Sequence, residues 1–238
     1  MLHNIGNIYY DLNDLDRALE YLNQALSIRH AAGDLAEAFT LAAIGHVYRA
    51  LGQPARAVEH YQKALPIIRA MGDRQGEASD LNNMGKAYAL QGDQQKAIES
   101  YNQAMPIMRA VGDRRGEAAT LSNLGELERA LGHPSKALEY FGQALELQCA
   151  VRDPIGAIAT LYGVARTERD LGHLEEARSR IESALDAVES LRAGVSNQQL
   201  RSSYLASKED YYGFYVDLLM RMDSRDRSVG YAGPGAAG

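Results

Sequence analysis

Tryptophan is missing from this 238-residue chain, phenylalanine occurs three times and cysteine once. A single cysteine closes no internal disulfide, so stability must come from packing, and a reducing compartment suits the sequence. No window approaches the ~18 consecutive apolar residues that would point to a membrane span. The opening stretch "MLHNIGNIYYDLNDLD" carries neither a basic leader nor an apolar run. Excess positive charge is lacking too: the net charge is −6, which argues against the basic footprint of a general nucleic-acid binder. The expectation is a cytoplasmic chain with neither membrane nor nucleic acid among its partners. What is plentiful is glycine, with 22 residues, and hydrophobic side chains, at 46%, enough for a buried core.

The glycines are evenly placed. Gly52, Gly92, Gly132 and Gly172 stand 40 residues apart, and a second column runs Gly45, Gly85 and Gly125, with Ala165 in fourth place. Alanines keep the same beat at Ala57, Ala97, Ala137 and Ala177, and again at Ala64, Ala104, Ala144 and Ala184. Large residues follow at Tyr61, Tyr101, Phe141 and Ile181. The opening of the chain joins with Gly6, Ala18, Leu22 and Ala25, displaced by 39 because one residue is missing between Gly33 and Gly45. A period of this length signals a solenoid of stacked supersecondary units.

Within one unit the apolar residues have helical spacing: Leu81, Met84, Ala87 and Tyr88 form one stripe, and Ala97, Tyr101, Ala104 and Ile107 a second. Between them Gly92 can take the left-handed conformation that ends a helix, and Asp93 can cap the next. Pro54 and Pro134 suit a first helical turn. At the joints between units Gly33, Gly72 and Gly112 terminate while Asp34, Asp73, Asp113 and Asp153 cap; Arg152 replaces glycine at the last joint, so a differently shaped turn is expected there. Gly85 and Ala97 are expected to face each other, letting the helix axes approach closely. Pro66 and Pro106 lie inside second helices and should bend them.

The column Leu81, Met84, Gly85, Tyr88, Gly92, Ala97, Tyr101 and Ala104 resembles the tetratricopeptide repeat signature. The longer unit, with its Leu81, Asn82, Asn83 opening, is similar to the kinesin-light-chain-like subgroup. The resemblance covers roughly residues 2 to 190, with departures at Ala165, Glu128 and Glu168 and in a first unit that starts partway into its first helix. It implies an all-α fold, a right-handed superhelix (α-solenoid) of about five helix-turn-helix repeats with a C-terminal helical cap. The array is expected over residues 1–190, with repeats at about 1–33, 34–72, 73–112, 113–152 and 153–190. A capping segment should follow at 191–224 and a disordered tail at 225–238.

After Leu191 the repeat stops and large residues cluster at Tyr204, Tyr211, Tyr212, Phe214, Tyr215, Val216, Leu218, Leu219 and Met220. Ser207 with Asp210 makes a variant capping box for a final helix to about Met222. A solenoid exposes the apolar face of its last unit, and this segment is the candidate cover. The stretch "LRSSYLASKEDYYGFYVDLLM" also resembles the segment that joins such repeats to a CHAT domain, a caspase-like cysteine peptidase, in bacterial multidomain proteins. That resemblance implies a peptidase next, whereas the sequence in hand runs into "GYAGPGAAG", expected to be a disordered tail or the scar of a truncation or frameshift.

Chemistry-bearing constellations are scarce. Gly233, Gly235 and Gly238 have G-x-G-x-x-G spacing but no room for the following helix that a dinucleotide site needs. Cys149 occupies the column of Arg29, Arg69 and Arg109, without a histidine column beside it, and reads as structural. Those arginines answer the negative end of the helix dipole. The histidines, His133 and His173 included, lack metal-ligand spacing. The chain is expected to be no enzyme, with no catalytic residues, no metal and no cofactor.

Surface remains. In tetratricopeptide arrays, as the resemblance implies, the first helix of each unit lines the concave face. Its exposed columns here read Asn4, Ala43, Asn83, Asn123, Gly163; then Asn7, His46, Lys86, Glu126, Arg166; then Tyr10, Arg49, Ala89, Arg129, Arg169. Asparagine offers donor and acceptor together, so a ladder of them can hold an extended peptide by its backbone. The other two columns are net basic in an acidic chain, which suits an acidic peptide; local pairs such as Glu126 with Arg129 are the plainer alternative. The candidate peptide-binding groove is therefore Asn4, Asn7, His46, Arg49, Asn83, Lys86, Asn123, Glu126, Arg129, Arg166 and Arg169. The expected function is a non-catalytic protein–protein interaction scaffold, the sensor or regulatory part of a bacterial signalling or CHAT-peptidase system. Alternatives are the regulatory fragment of a CHAT peptidase without its catalytic domain, or a stand-alone adaptor. Self-association through the array ends is a further expected contact.

Overall fold

The computed structural model of the chain describes residues 1–194 and 208–230, with side chains to Arg225. Every regular element in this part is an α-helix: α1 (Leu2–Asp11), α2 (Leu15–Ala31), α3 (Glu37–Ala50), α4 (Pro54–Ala70), α5 (Arg74–Gln91), α6 (Gln94–Val111), α7 (Arg114–Ala130), α8 (Pro134–Ala150), α9 (Pro154–Leu171), α10 (Leu174–Ala193) and α11 (Glu209–Gly230). The chain divides into two compact units, Met1–Asn123 and Leu124–Gly238, with the boundary inside α7.

In the first unit α1 packs on α2, α3 on α4 and α5 on α6, while α2 meets α3 and α4 meets α5. The first helices of successive pairs also touch, α1 with α3 and α3 with α5. The second unit packs α8, α9, α10 and α11 in sequence. Successive helices pair because their apolar stripes are one-sided and the connecting turns are too short for any other neighbour.

The glycine column on the first helices makes a notch that is filled from the second helices. A Cβ on Gly85 would stand 2.5 Å from the Tyr101 ring, and at the equivalent place in the first repeat a Cβ on Gly6 would stand 2.6 Å from Leu22 and 3.2 Å from the Ala18 carbonyl. Gly125 meets Phe141 at 2.6 Å in the same way, and Gly45 meets Tyr61 at 2.7 Å. Glycine on the first helix thus makes room for a ring from the second, and Tyr61, Tyr101 and Phe141 are almost wholly buried as a result. The notch thus takes a large side chain from the second helix, with the Ala18 backbone also against Gly6 in the first repeat.

Capping follows the joints. Asp73, Asp113 and Asp153 accept from the backbone N–H three residues on, at 2.9, 2.8 and 3.0 Å, and Asp93 caps α6 from Lys96. Asp34 instead accepts from Ala36, two residues on, and leaves α3 without a side-chain cap. Arg152 takes φ +52°, the left-handed conformation of the glycines at the other joints, so that turn keeps the shared shape despite the costlier residue. α4 and α6 run unbroken through Pro66 and Pro106.

Arg69 and Arg109 reach forward rather than simply facing their own helix ends. Each donates to a glutamate on the next first helix, Arg69 to Glu77 at 2.7 Å and Arg109 to Glu117 at 2.6 Å. With the first repeat displaced by 39, His30 rather than Arg29 holds the Arg69 position and lies 2.9 Å from Glu37, while Arg29 donates to the Ala36 carbonyl and the Thr40 hydroxyl. Where Cys149 replaces the arginine, Ala157 stands in the glutamate column, so both partners are lost together. Cys149 is an exposed free thiol.

α11 closes the second unit. Tyr211, Phe214 and Leu218 join Ile158, Ile181 and Val188 in one core; Tyr211 stacks on Tyr162 at 4.1 Å between centroids. Tyr212 and Tyr215 donate to Glu189 and Glu182 at 2.7 and 2.6 Å. The helix runs to Gly230, past the expected Met222. Tyr204, Ser207 and the glycine-spaced tail lie outside the described residues.

Candidate functional site

In the first unit α1, α3 and α5 enclose an open cavity of about 440 Å³. His3, Asn7 and Tyr10 come from α1, Phe39 and His46 from α3, and Asp80 from α5. Of the expected groove residues, Asn7 and His46 line this cavity. Asn7 lies 3.2 Å from His3, and Asn83 donates to His46 Nε2 at 3.1 Å. That bond requires an unprotonated Nε2. Burial, then Arg49 and Lys86, pull the His46 pKa down to about 4, so the ring is neutral at physiological pH.

The asparagine ladder is only half free. Asn83 spends one N–H on His46, and Asn123 donates to Asn82 Oδ1 at 3.0 Å. Asn82 is buried and also lies 3.1 Å from the Thr120 hydroxyl. These bonds join successive first helices and hold the amides in place. Each of Asn83 and Asn123 keeps its carbonyl oxygen and a second N–H for another partner. Asn4 is exposed.

Arg49 and Lys86 are half-buried, and neither has a carboxylate partner among the described residues. The Arg49 Nε is buried without a hydrogen-bond acceptor, and the buried Tyr61 hydroxyl lies beside the Arg49 guanidinium. Burial, then the Arg49 charge, lowers the Lys86 pKa. Two cations held close without a counter-ion make a local positive site.

The second unit treats its cations differently. Arg129 pairs with Glu126 at 3.3 Å and Asp170 at 3.0 Å. Arg166 pairs with Glu126 at 3.4 Å, and Arg169 with Asp170 at 2.9 Å. The expected basic columns are thus largely neutralised here by Glu126, which was foreseen as a pair for Arg129, and by Asp170, which was not. Arg166 and Arg169 also lie over the Tyr162 and Phe214 rings.

Sequence reasoning passed over Asp80. It occupies the column of Thr40, Thr120 and Thr160, all buried, and is itself only 4% exposed. The available signal was a lone carboxylate in a threonine column on a helix face that must be buried.

Family comparison supplies the identity of the fold. The tetratricopeptide repeat family model matches residues 1–70, 37–110 and 79–150. The chain belongs to the tetratricopeptide repeat family. Among solved structures, this tetratricopeptide repeat protein is similar to the nearly identical TPR-like repeats of a Podosopora anserina kinesin light chain. The TM-score is 0.62 at 20% identity, over 78% of this chain and 92% of that one. A Rap protein complexed with Competence and Sporulation Factor aligns with TM-score 0.73 and 14% identity, over 97% and 70% of the two chains. A Pyrococcus horikoshii signal transduction ATPase with a tetratricopeptide repeat sensor aligns with 0.70 and 17%, over 97% and 36%. At these identities the likeness establishes the fold. No curated protein matches the chain. Among the described residues no helix is long and apolar enough to cross a membrane, and no cluster of metal-ligating side chains occurs.

Proposed function

We propose that this chain binds a peptide or protein segment along the face built from its first helices, as the non-catalytic sensor or regulatory part of a bacterial signalling system, CHAT-peptidase systems included. The tetratricopeptide repeat is a protein-interaction scaffold, and the Rap neighbour carries a bound factor by its own description. The observation that carries the proposal is the cavity between α1, α3 and α5, walled by Asn7 and His46, with the half-free amides of Asn83 on α5 and Asn123 on α7 beyond it. Arg49 and Lys86, without counter-ions, favour an acidic group on the bound segment. In the second unit Glu126 and Asp170 already answer Arg129, Arg166 and Arg169, so those arginines have less charge to offer a bound segment.

The test uses a peptide selected against the full chain from a display library. Losing one neutral hydrogen bond costs ~0.5–1.5 kcal/mol. Asn83→Ala with Asn123→Ala should therefore weaken the selected peptide by roughly one to two orders of magnitude. Arg49→Ala should instead slow association and flatten its salt dependence. Unchanged affinity in both variants, with helicity intact by circular dichroism, would remove the first-helix face from the binding site.

A further inference from the structure

Asp80 is the exception in its column, and its neighbours make the exception costly. At the equivalent positions the threonines close onto their own helix: Thr120 lies 2.9 Å from the Gly116 carbonyl and Thr160 donates to Gly156 at 3.1 Å. The preceding second helix adds a partner, Met108 Sδ at 3.3 Å in one case and Gln148 Nε2 at 2.9 Å in the other. Arg29 does the same for Thr40 at 2.6 Å. Opposite Asp80 stands Ile68, which offers no hydrogen bond. An ionised carboxylate, moreover, has no proton to give to a backbone carbonyl. Asp80 Oδ2 is accordingly buried with no partner.

Yet Asp80 is not sealed in the core. It lines the cavity between α1, α3 and α5, whose other walls include Tyr10 and Phe39, with Asp11 adding a second carboxylate. The two imidazoles on the wall do not offset that charge. Burial, then Arg29 and the N-terminus, lowers the His3 pKa, and His46 is neutral for the reason given above. Asp73, at the start of α5, and the Tyr61 hydroxyl, from α4, are the other titratable groups near the carboxyl, and neither carries positive charge. A buried polar atom without a partner calls for a group that completes it. A carboxylate between aromatic walls recognises a cation, through charge and through the ring faces.

We propose that this cavity takes one cationic side chain, lysine or arginine, of the bound segment, with the Asp80 carboxylate as its counter-charge and Tyr10 and Phe39 as its walls. The inference rests on the reading that a segment lies along the first helices, and it makes that segment mixed in charge. An acidic group lies over Arg49 and Lys86, and a basic one enters beside Asp80. Burial pushes the Asp80 pKa up to about 7; the charge of the arriving cation offsets that cost, so the carboxyl gives up its proton on binding.

The probe is N-acetylarginine amide, with N-acetylcitrulline amide as its uncharged isostere, titrated into the full chain and followed by amide and carboxyl NMR. The arginine compound should shift the Phe39 and Ala42 amides saturably in the millimolar range and move the Asp80 carboxyl titration to lower pH. Citrulline should bind at least tenfold more weakly. Asp80→Thr, which restores the residue of the other repeats, should abolish the difference while leaving the fold intact. Equal binding of the two compounds, arginine binding retained in Asp80→Thr, or no shift with either compound would overturn the proposal; the last would leave only water and a protonated carboxyl in the cavity. Because the probe is a single residue, its result is independent of the selected-peptide titration. Loss of peptide binding in the asparagine variants therefore tests the groove, and the arginine titration tests the cavity.

Discussion

Replacing Asp80 by threonine should stabilise the chain, and the gain should grow with pH. In the folded protein the Asp80 carboxyl titrates at about 7 instead of the usual 3.8, chiefly because burial penalises its charge. The unfolded chain releases this proton near 3.8, so between about pH 4 and 7 the folded state holds more protons than the unfolded one. Stability from this group therefore falls as pH rises through that window and is level above it. A rise of about three pH units at ~1.4 kcal/mol each sets a ceiling of about 4 kcal/mol. Water in the open cavity screens part of it, which brings the expected cost to about 2–3 kcal/mol. Threonine removes this cost and can bond the Gly76 carbonyl as Thr120 bonds Gly116, worth a further ~0.5–1.5 kcal/mol. Urea denaturation of both proteins between pH 4 and pH 8 measures the difference at matched slope. His46, which loses stability as pH falls from 6.5 toward about 4, is present in both proteins and cancels in the comparison. A variant no more stable than the parent at pH 8, or a difference that does not change with pH, would refute the reasoning.

Two further outcomes follow from the packing. Gly85→Ala places a methyl 2.5 Å from the Tyr101 ring and should cost ~1–3 kcal/mol by chemical denaturation; a companion Tyr101→Leu should return part of the loss, and simple additivity would reject the ring-into-notch pairing. Removing the chain from Glu209 onward uncovers Ile181 and Val188 and should cause self-association in light scattering, whereas a monodisperse truncated chain would deny α11 its covering role.

The 40-residue spacing carried the repeat architecture, because each glycine and alanine column must recur for identical hairpins to stack. The cap was readable for a related reason: Tyr211, Phe214 and Leu218 are large apolar residues at helical spacing where the repeat ends. What faces what was harder to read. Gly85 recurs as Gly45 and Gly125 whether its notch takes an alanine or a ring, and only the helix crossing selects Tyr101. The Arg69–Glu77 bond joins two columns separated by a joint, so the arginine alone suggested the helix dipole. Arg152 resembled a changed turn, but the surrounding helices hold φ at +52° without glycine. In the candidate face the columns were visible, while their saturation was not: Glu126 and Asp170 each serve two arginines from neighbouring turns or repeats. Asp80 escaped notice because column reading rewards residues that recur, and its meaning lies in being the one that does not.

In the binding mode we propose, the first helices, rather than the second helices or α11, form the binding face. Chemical-shift mapping of the full chain with the library-selected peptide tests it most directly. The largest amide shifts should fall on α1, α3 and α5, around Asn7, His46 and Asn83, with α2, α4 and α6 little changed. Shifts concentrated on the second helices, or on the exposed Val216 and Met220 of α11, would contradict it.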